Sequence, residues 1–255
     1  MRPVPAIEAI LATPALWRGR QTAGDGRRVI SSGWPTLDAL LPGGGWPLGS
    51  LIEIGIAAPG SGECALFFPL WRDSDIKHAT SAGAAAGRAL IRRSGSSANR
   101  ANPVNPATTA IALIDPPFLP YAPGWQHAGI ELSRLWWISA NSERQRLWAA
   151  EQSLRSGVCN AVLLWPRNID ANALRRLQLA AESAATLGLC FRPEGELAHA
   201  SHAPIRLRLQ PCSDYWNIEL VKCRGRTGGA KCTIARVPLH NRMPAHAAYD
   251  RRTGI

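Results

Sequence analysis

Long apolar runs are missing from this chain. No stretch approaches the ~20 residues of a membrane-spanning helix, and Met1-Arg2-Pro3-Val4-Pro5 leads into no uninterrupted apolar core of a secretory signal. The cytoplasm is therefore the expected compartment, with no membrane partner. Paired cysteine motifs are missing too. The six cysteines (Cys64, Cys159, Cys190, Cys212, Cys223, Cys232) occur singly, with no C-x-x-C pair, and several fall in apolar strand patterns, so they read as buried free thiols. The six histidines show neither metal spacing nor triad context, which leaves no metal centre and no catalytic histidine to expect. Acidic residues are scarce: 18 Asp and Glu stand against 29 Lys and Arg, for a net charge of +11. That imbalance favours phosphate backbones or acidic partners, although a bias so heavily toward Arg is also what a high-GC genome produces. The hydrophobic content of 46% over 255 residues is enough for one core near the upper size of a domain.

Residues 51–64, Leu-Ile-Glu-Ile-Gly-Ile-Ala-Ala-Pro-Gly-Ser-Gly-Glu-Cys, have the layout of a strand running into a phosphate loop. In a working G-x-x-x-x-G-K-[ST] loop the first Gly permits the turn, the Lys reaches the β/γ-phosphates and the hydroxyl ligates Mg²⁺. Here Ala57 stands at the first Gly, Gly60 and Ser61 lie inside the loop, Gly62 keeps the second Gly, Glu63 replaces the Lys and Cys64 the hydroxyl. A carboxylate repels a triphosphate, and a thiol is a poor ligand for a hard cation. No cofactor and no catalytic residue are expected. On its own, Gly60-Ser61-Gly62 also reads as a plain loop after a strand.

Along the chain, Ile7, Ile10 and Leu11 share a helical face and Thr13-Pro14 opens a second short helix, giving a helical arm over residues 1–28. Cys64–Trp71 reads as an apolar helix, with Pro69 awkward inside it. Residues 78–107 are Ala, Gly, Ser, Asn and Arg with hardly a large apolar residue, and read as a flexible insertion whose Arg88, Arg92, Arg93 and Arg100 are candidate DNA contacts or, the safer reading, part of a solvated linker. Ser142-Glu143-Arg144-Gln145 fits a capping box, and Gly157 is placed to end that helix. Asp170 caps a second helix, closed by Gly188 before a short strand Leu189-Cys190-Phe191. Helices between apolar strands imply a parallel sheet. The period-two runs 205–210, 216–220 and 232–237 then imply an antiparallel extension on its edge. Between the last two lies the densest basic loop, residues 222–231. Lys222, Arg224, Arg226 and Lys231 beside glycines are candidate nucleic-acid contacts, or a solvated hairpin tip. Residues 241–255 carry no core face and read as a flexible tail.

The run Val29–Ile54, with Leu37-Asp38, Gly43-Gly44-Gly45 and Glu53, resembles the approach to the phosphate loop in RecA-type recombinases. Ile111-Ala112-Leu113-Ile114-Asp115 resembles the strand bearing their "F-I-D-A-E-H", and the likeness spans roughly residues 29–238. It implies an α/β fold with a RecA-like P-loop-type core over residues 29–240. The same alignment puts Pro117 where those enzymes carry the water-activating Glu, and Trp165 where a strand ends in the Mg²⁺-associated Asp. Closer still, Leu40–Pro47, Asp115–Pro123, Leu147–Gly157 and Leu174–Glu182 resemble the bacterial ImuA family, degenerate RecA relatives that serve mutagenic translesion synthesis. That resemblance implies a non-enzymatic accessory scaffold, a pseudo-ATPase of the SOS response. It implies as partners an inactive Y-family polymerase-like protein and an error-prone C-family DNA polymerase, with DNA and RecA open as further ones. The alternatives are a residual ATP-binding recombinase-like protein, which Glu63, Cys64, Pro117 and Trp165 oppose, and a RecA-like cell-division inhibitor of the SOS response. Those inhibitors are shorter and lack the Leu37–Gly45 approach.

Overall fold

Apolar strands alternating with capped helices build one twisted sheet, seen in the computed structural model, which describes residues 28–72, 110–224 and 228–236. The expected arm before Arg28, the insertion at 78–107, Arg226 and the tail at 241–255 lie outside the described residues. A two-stranded ribbon, β1 (Val29–Ile30) against β2 (Trp46–Pro47), leads in. Between them come a short helix α1 (Pro35–Asp38) and a 3₁₀ turn at Pro42–Gly44. The main sheet contains β3 (Leu51–Ile56), β4 (Ala110–Ile114), β5 (Leu135–Ile138), β6 (Cys159–Leu164), β7 (Leu187–Pro193), β8 (Ile205–Pro211), β9 (Tyr215–Cys223) and β10 (Ala230–Ala235). Their order is β10-β9-β8-β3-β7-β6-β4-β5. β3 to β8 run parallel to their neighbours, and β9 and β10 add antiparallel. The structure is thus α/β, with a mostly parallel sheet, flanking helices and the expected antiparallel extension. Among the described residues no helix is long and apolar enough to cross a membrane.

The two sheet faces are packed differently. On one lie α4 (Glu143–Arg155) and α5 (Ala171–Ala184), seating Ala150, Leu154, Leu174, Leu177, Ala180 and Ala181 on β3, β4, β6 and β7. Small residues there let long helices approach the sheet closely. The other face is aromatic, with Trp46, Phe67, Trp71, Trp125 and Phe191 under short segments, including α2 (Phe68–Trp71) and α3 (Ala122–His127). Trp71 and Trp125 stack with centroids 5.8 Å apart. Large rings fill depth that long helices fill on the opposite face.

The helix ends follow local chemistry. Ser142 Oγ accepts from Gln145 N at 3.3 Å, while the Gln145 side chain accepts from Asn141 N at 3.0 Å, so the capping box closes one residue early. Asp170 Oδ1 accepts from Ala173 N at 2.6 Å. Gly157 follows α4 with φ +68°, the left-handed stop that glycine supplies.

Three expectations need correction. Cys64–Trp71 is not one helix but a 3₁₀ segment, Glu63–Phe67, followed by the four-residue α2. Pro69 lacks the N–H that a continuous helix would use there, so the chain restarts with Pro at the second position. Gly188 does not close α5. Ala185, at φ +55°, does so, and Gly188 lies inside β7, where a Cβ would come within 2.9 Å of the Leu51 side chain. Its missing side chain serves close strand packing, and β7 is correspondingly longer than 189–191. The last strand begins at Ala230, two residues before the expected start, and runs to Ala235, with the Arg236 side chain on Cys212 O at 3.0 Å and Val237 outside the described residues.

Candidate functional site

The loop after β3 reaches the carboxyl ends of the parallel strands, where open α/β sheets place their ligand crevice. Gly60 and Gly62 adopt φ of +81° and +88°, so the loop turns back as its sequence suggested. Glu63 does not project into that crevice as a free charge. It is 4% exposed, and its Oε1 accepts from Gly60 N at 3.0 Å and from Trp165 Nε1 at 3.2 Å. The two residues singled out as replacements for the Lys and the metal-associated Asp are therefore bonded to each other. A side-chain carboxylate occupies a loop amide that an anionic ligand would need. Downstream, the 3₁₀ turn and the four-residue α2 present no long helix dipole toward the loop.

Neighbours close the arrangement. Trp165 stacks on Phe191 at 4.9 Å between centroids. The Phe118 ring lies over Gly60, close enough that a Cβ there would fall 2.8 Å from it. From the end of β10, Arg236 Nη2 donates to Ser61 O at 3.5 Å while its guanidinium sits 5.6 Å from the Trp216 ring centre. Cys64 beside the loop is half-buried, and burial together with the Glu63 carboxylate pushes its thiol well above the usual range. A cleft of about 410 Å³ remains alongside, lined among others by Ala57, Asp115, Pro117, Arg146, Trp165 and Arg167. Pro117 thus sits at the crevice but brings no titratable group.

Asp115 and Arg146 were not read from sequence as a pair. Asp115 ends β4 with φ +43°, and its carboxylate receives Arg146 Nε at 3.0 Å and pairs with Nη2. Arg146 also pairs with Glu143 one helical turn back. This clamp holds the start of the Pro116–Pro120 loop against α4. Its only signal in the sequence was an Arg on the inner side of an amphipathic helix. Glu53 was likewise passed over as part of a motif. It is fully buried in the middle of β3, pairs with Arg192 and accepts from Arg206 Nε at 2.8 Å.

The basic loop lies at the opposite end of the sheet. β9 is nine residues long, about 30 Å of strand, and runs antiparallel to β8, so the hairpin tip and the β3 loop point away from each other. Lys222 Nζ donates to Ser201 O at 2.7 Å, and burial, with Arg206 nearby, lowers its pKa. Arg224 is exposed, with its backbone N–H on Pro204 O at 2.9 Å. Lys231 is exposed in register with Glu219, which pairs with Arg208. The fold gathers Lys222 and Arg224 at the tip, places Lys231 on the returning strand, and leaves Arg226 outside the described residues.

No family profile matches the chain. Among curated proteins it is similar to Protein ImuA of Caulobacter vibrioides, in strains NA1000/CB15N and ATCC 19089/CIP 103742/CB 15. Each is 28% identical over 228 residues, covering 79% of this chain and 81% of the relative. These matches bear out the family resemblance read from the sequence. Among solved structures, a crystal structure of SulA from Pseudomonas aeruginosa aligns at 19% identity and TM-score 0.36, covering 56% of this chain and 97% of that one.

Proposed function

We propose that this chain, a relative of the ImuA proteins, is a non-catalytic RecA-like accessory protein of SOS-induced mutagenic translesion synthesis. In this reading it scaffolds an inactive Y-family polymerase-like partner and an error-prone C-family polymerase. The observation that carries the non-catalytic part is the Glu63–Trp165 bond. Phosphoryl transfer rests on positioned cations and metal. Here the two positions that would supply them are spent on each other, and Pro117 offers no base. The mostly parallel sheet with its antiparallel extension, and the glycine-turn approach through Leu37-Asp38 and Gly43-Gly44-Gly45, support a RecA-type ancestry for the scaffold.

Calorimetry with Mg²⁺-ATP tests the first part. The expected result is no measurable binding and turnover at background, and a low-micromolar, Mg²⁺-dependent affinity overturns it. Glu63→Lys with Cys64→Thr is expected not to restore hydrolysis, because Pro117 and Trp165 still leave water and metal unplaced. Copurification with the two polymerase components from DNA-damaged cells tests the second part. Failure to recover either one, with the protein folded and abundant, removes the scaffold role.

DNA contact, in this proposal, belongs to the basic hairpin. Replacing Lys222, Arg224, Arg226 and Lys231 with Ala should weaken single-stranded DNA binding equally for all sequences. Each lost phosphate contact should remove roughly 0.7 from the log–log salt slope. An unchanged affinity and slope would reduce the loop to a solvated turn.

A further inference from the structure

Four neighbouring strands in the middle of the sheet, β3, β7, β6 and β4, run parallel and finish at the same end of it. Each is closed by proline. Pro59 follows β3, Pro116 and Pro117 follow β4, Pro166 follows β6, and Pro193 is the last residue of β7. All five line the cleft of about 410 Å³ beside the β3 loop. Backbone amides are the usual donors to an anion at such strand ends, and proline carries none. The one nearby glycine amide, that of Gly60, is taken by Glu63.

A stiff apolar wall stands where those donors would be. Trp165 and Phe191 line the cleft as a nearly parallel pair, their planes 17° apart, and the proline rings lose no rotamer freedom when a ligand lies against them. A volume of this size takes one small organic molecule. Asp115, also at the cleft, holds φ +43°, a conformation that costs a residue with a Cβ and that gathers at ligand sites. Three guanidiniums line the cleft, and two are spent: Arg146 on Asp115 and Glu143, Arg192 on Glu53 and Glu196. The third is exposed. Arg167 has no carboxylate partner among the described residues.

We propose that this cleft binds a small aromatic carboxylate, its flat ring against Trp165 and the prolines and its carboxylate on Arg167. Charge decides the class of ligand. One guanidinium fork matches one carboxylate in bidentate geometry. A phosphate dianion would find a single cation and no amide cradle, and the two carboxylates that share Arg146 repel it about twice as strongly as they repel a monoanion. The site goes beyond the accessory role and does not depend on it.

The test titrates the full chain, by saturation-transfer NMR, with three probes of one shape: naphthoate, the neutral naphthamide and naphthyl phosphate. Naphthoate should bind with a dissociation constant of about 1 mM or tighter, and the amide and the phosphate should each bind at least about fivefold more weakly. Arg167→Ala should weaken naphthoate about tenfold and leave the amide unchanged. Ala57 lines the cleft from the end of β3, so Ala57→Trp should fill it and abolish binding of all three probes. Both positions are exposed, and both variants should unfold at the parent temperature; if Ala57→Trp does not, Arg167→Ala decides alone. No binding of naphthoate, equal binding of the amide, or binding that Arg167→Ala leaves unaltered overturns the proposal. Tightest binding of the phosphate overturns it as well and makes the cleft a phosphate site.

Discussion

Glu53 and Glu63 occupy one strand and the loop that follows it, and both are buried, yet they are held in opposite ways. Glu53 faces two guanidiniums, Arg192 from β7 and Arg206 from β8, and Arg192 continues to Glu196 at 2.7 Å. Glu63 is held by neutral donors, the Gly60 amide and the Trp165 indole. The first carboxylate ties three neighbouring strands and the turn Glu194–Ala198 together. The second fills the turn of the loop after β3. A buried charge matched by cations is thus a structural tie here, and one matched only by N–H groups is a local plug.

The largest effect expected from breaking this contrast is at Glu53. Glu53→Ala leaves Arg192 and Arg206 without their shared counter-charge in the sheet, and should lower stability by about 3–5 kcal/mol in a urea titration. A loss under about 1 kcal/mol would mean that water reaches the cluster. A smaller effect is expected at the plug. Glu63→Ala and Trp165→Phe should each cost about 1 kcal/mol, with a coupling of similar size in the double-mutant cycle. A coupling near zero would separate the two positions energetically. The smallest signal is the pH dependence around Cys190, which stands beside Glu53 in the β3/β7 register. Burial first, and then the Glu53 charge, raise the Cys190 thiol far above its ordinary value of 9.0. The folded chain therefore keeps a proton that the unfolded chain loses, so stability is full below pH 9 and declines as pH rises above it. Cys190→Ala should flatten that alkaline decline, measured as thermal midpoint against pH, and an unaltered slope would place its cause elsewhere.

Much of the fold was legible because it depends on neighbours in sequence. Ser142, Asp170 and Gly157 are cap residues whose partners lie within a few positions, and the period-two runs at the C-terminal end read directly as paired strands. The reading of Glu63 and Cys64 as departures from a phosphate loop was equally local. The bond between Glu63 and Trp165 joins positions far apart in the chain, and each had been read only as a loss. Arg236 on Ser61, Arg146 on Asp115 and the Gly188 gap beside Leu51 depend in the same way on strand order and register, which pattern alone does not supply. The apolar run Leu135–Ile138 could not be told from a central strand. Only its place at the sheet edge leaves Trp136 and Trp137 half-exposed.

By itself the sequence determined the class of fold, the caps, the absence of a phosphate-binding lysine and the family likeness, because propensity, periodicity and motif chemistry act over a few residues. The tertiary structure decided that the loop after β3 is filled by its own glutamate and that the basic hairpin points away from it. Those outcomes follow from which strands lie side by side and how far each one runs, and burial and electrostatics act on the distances that result.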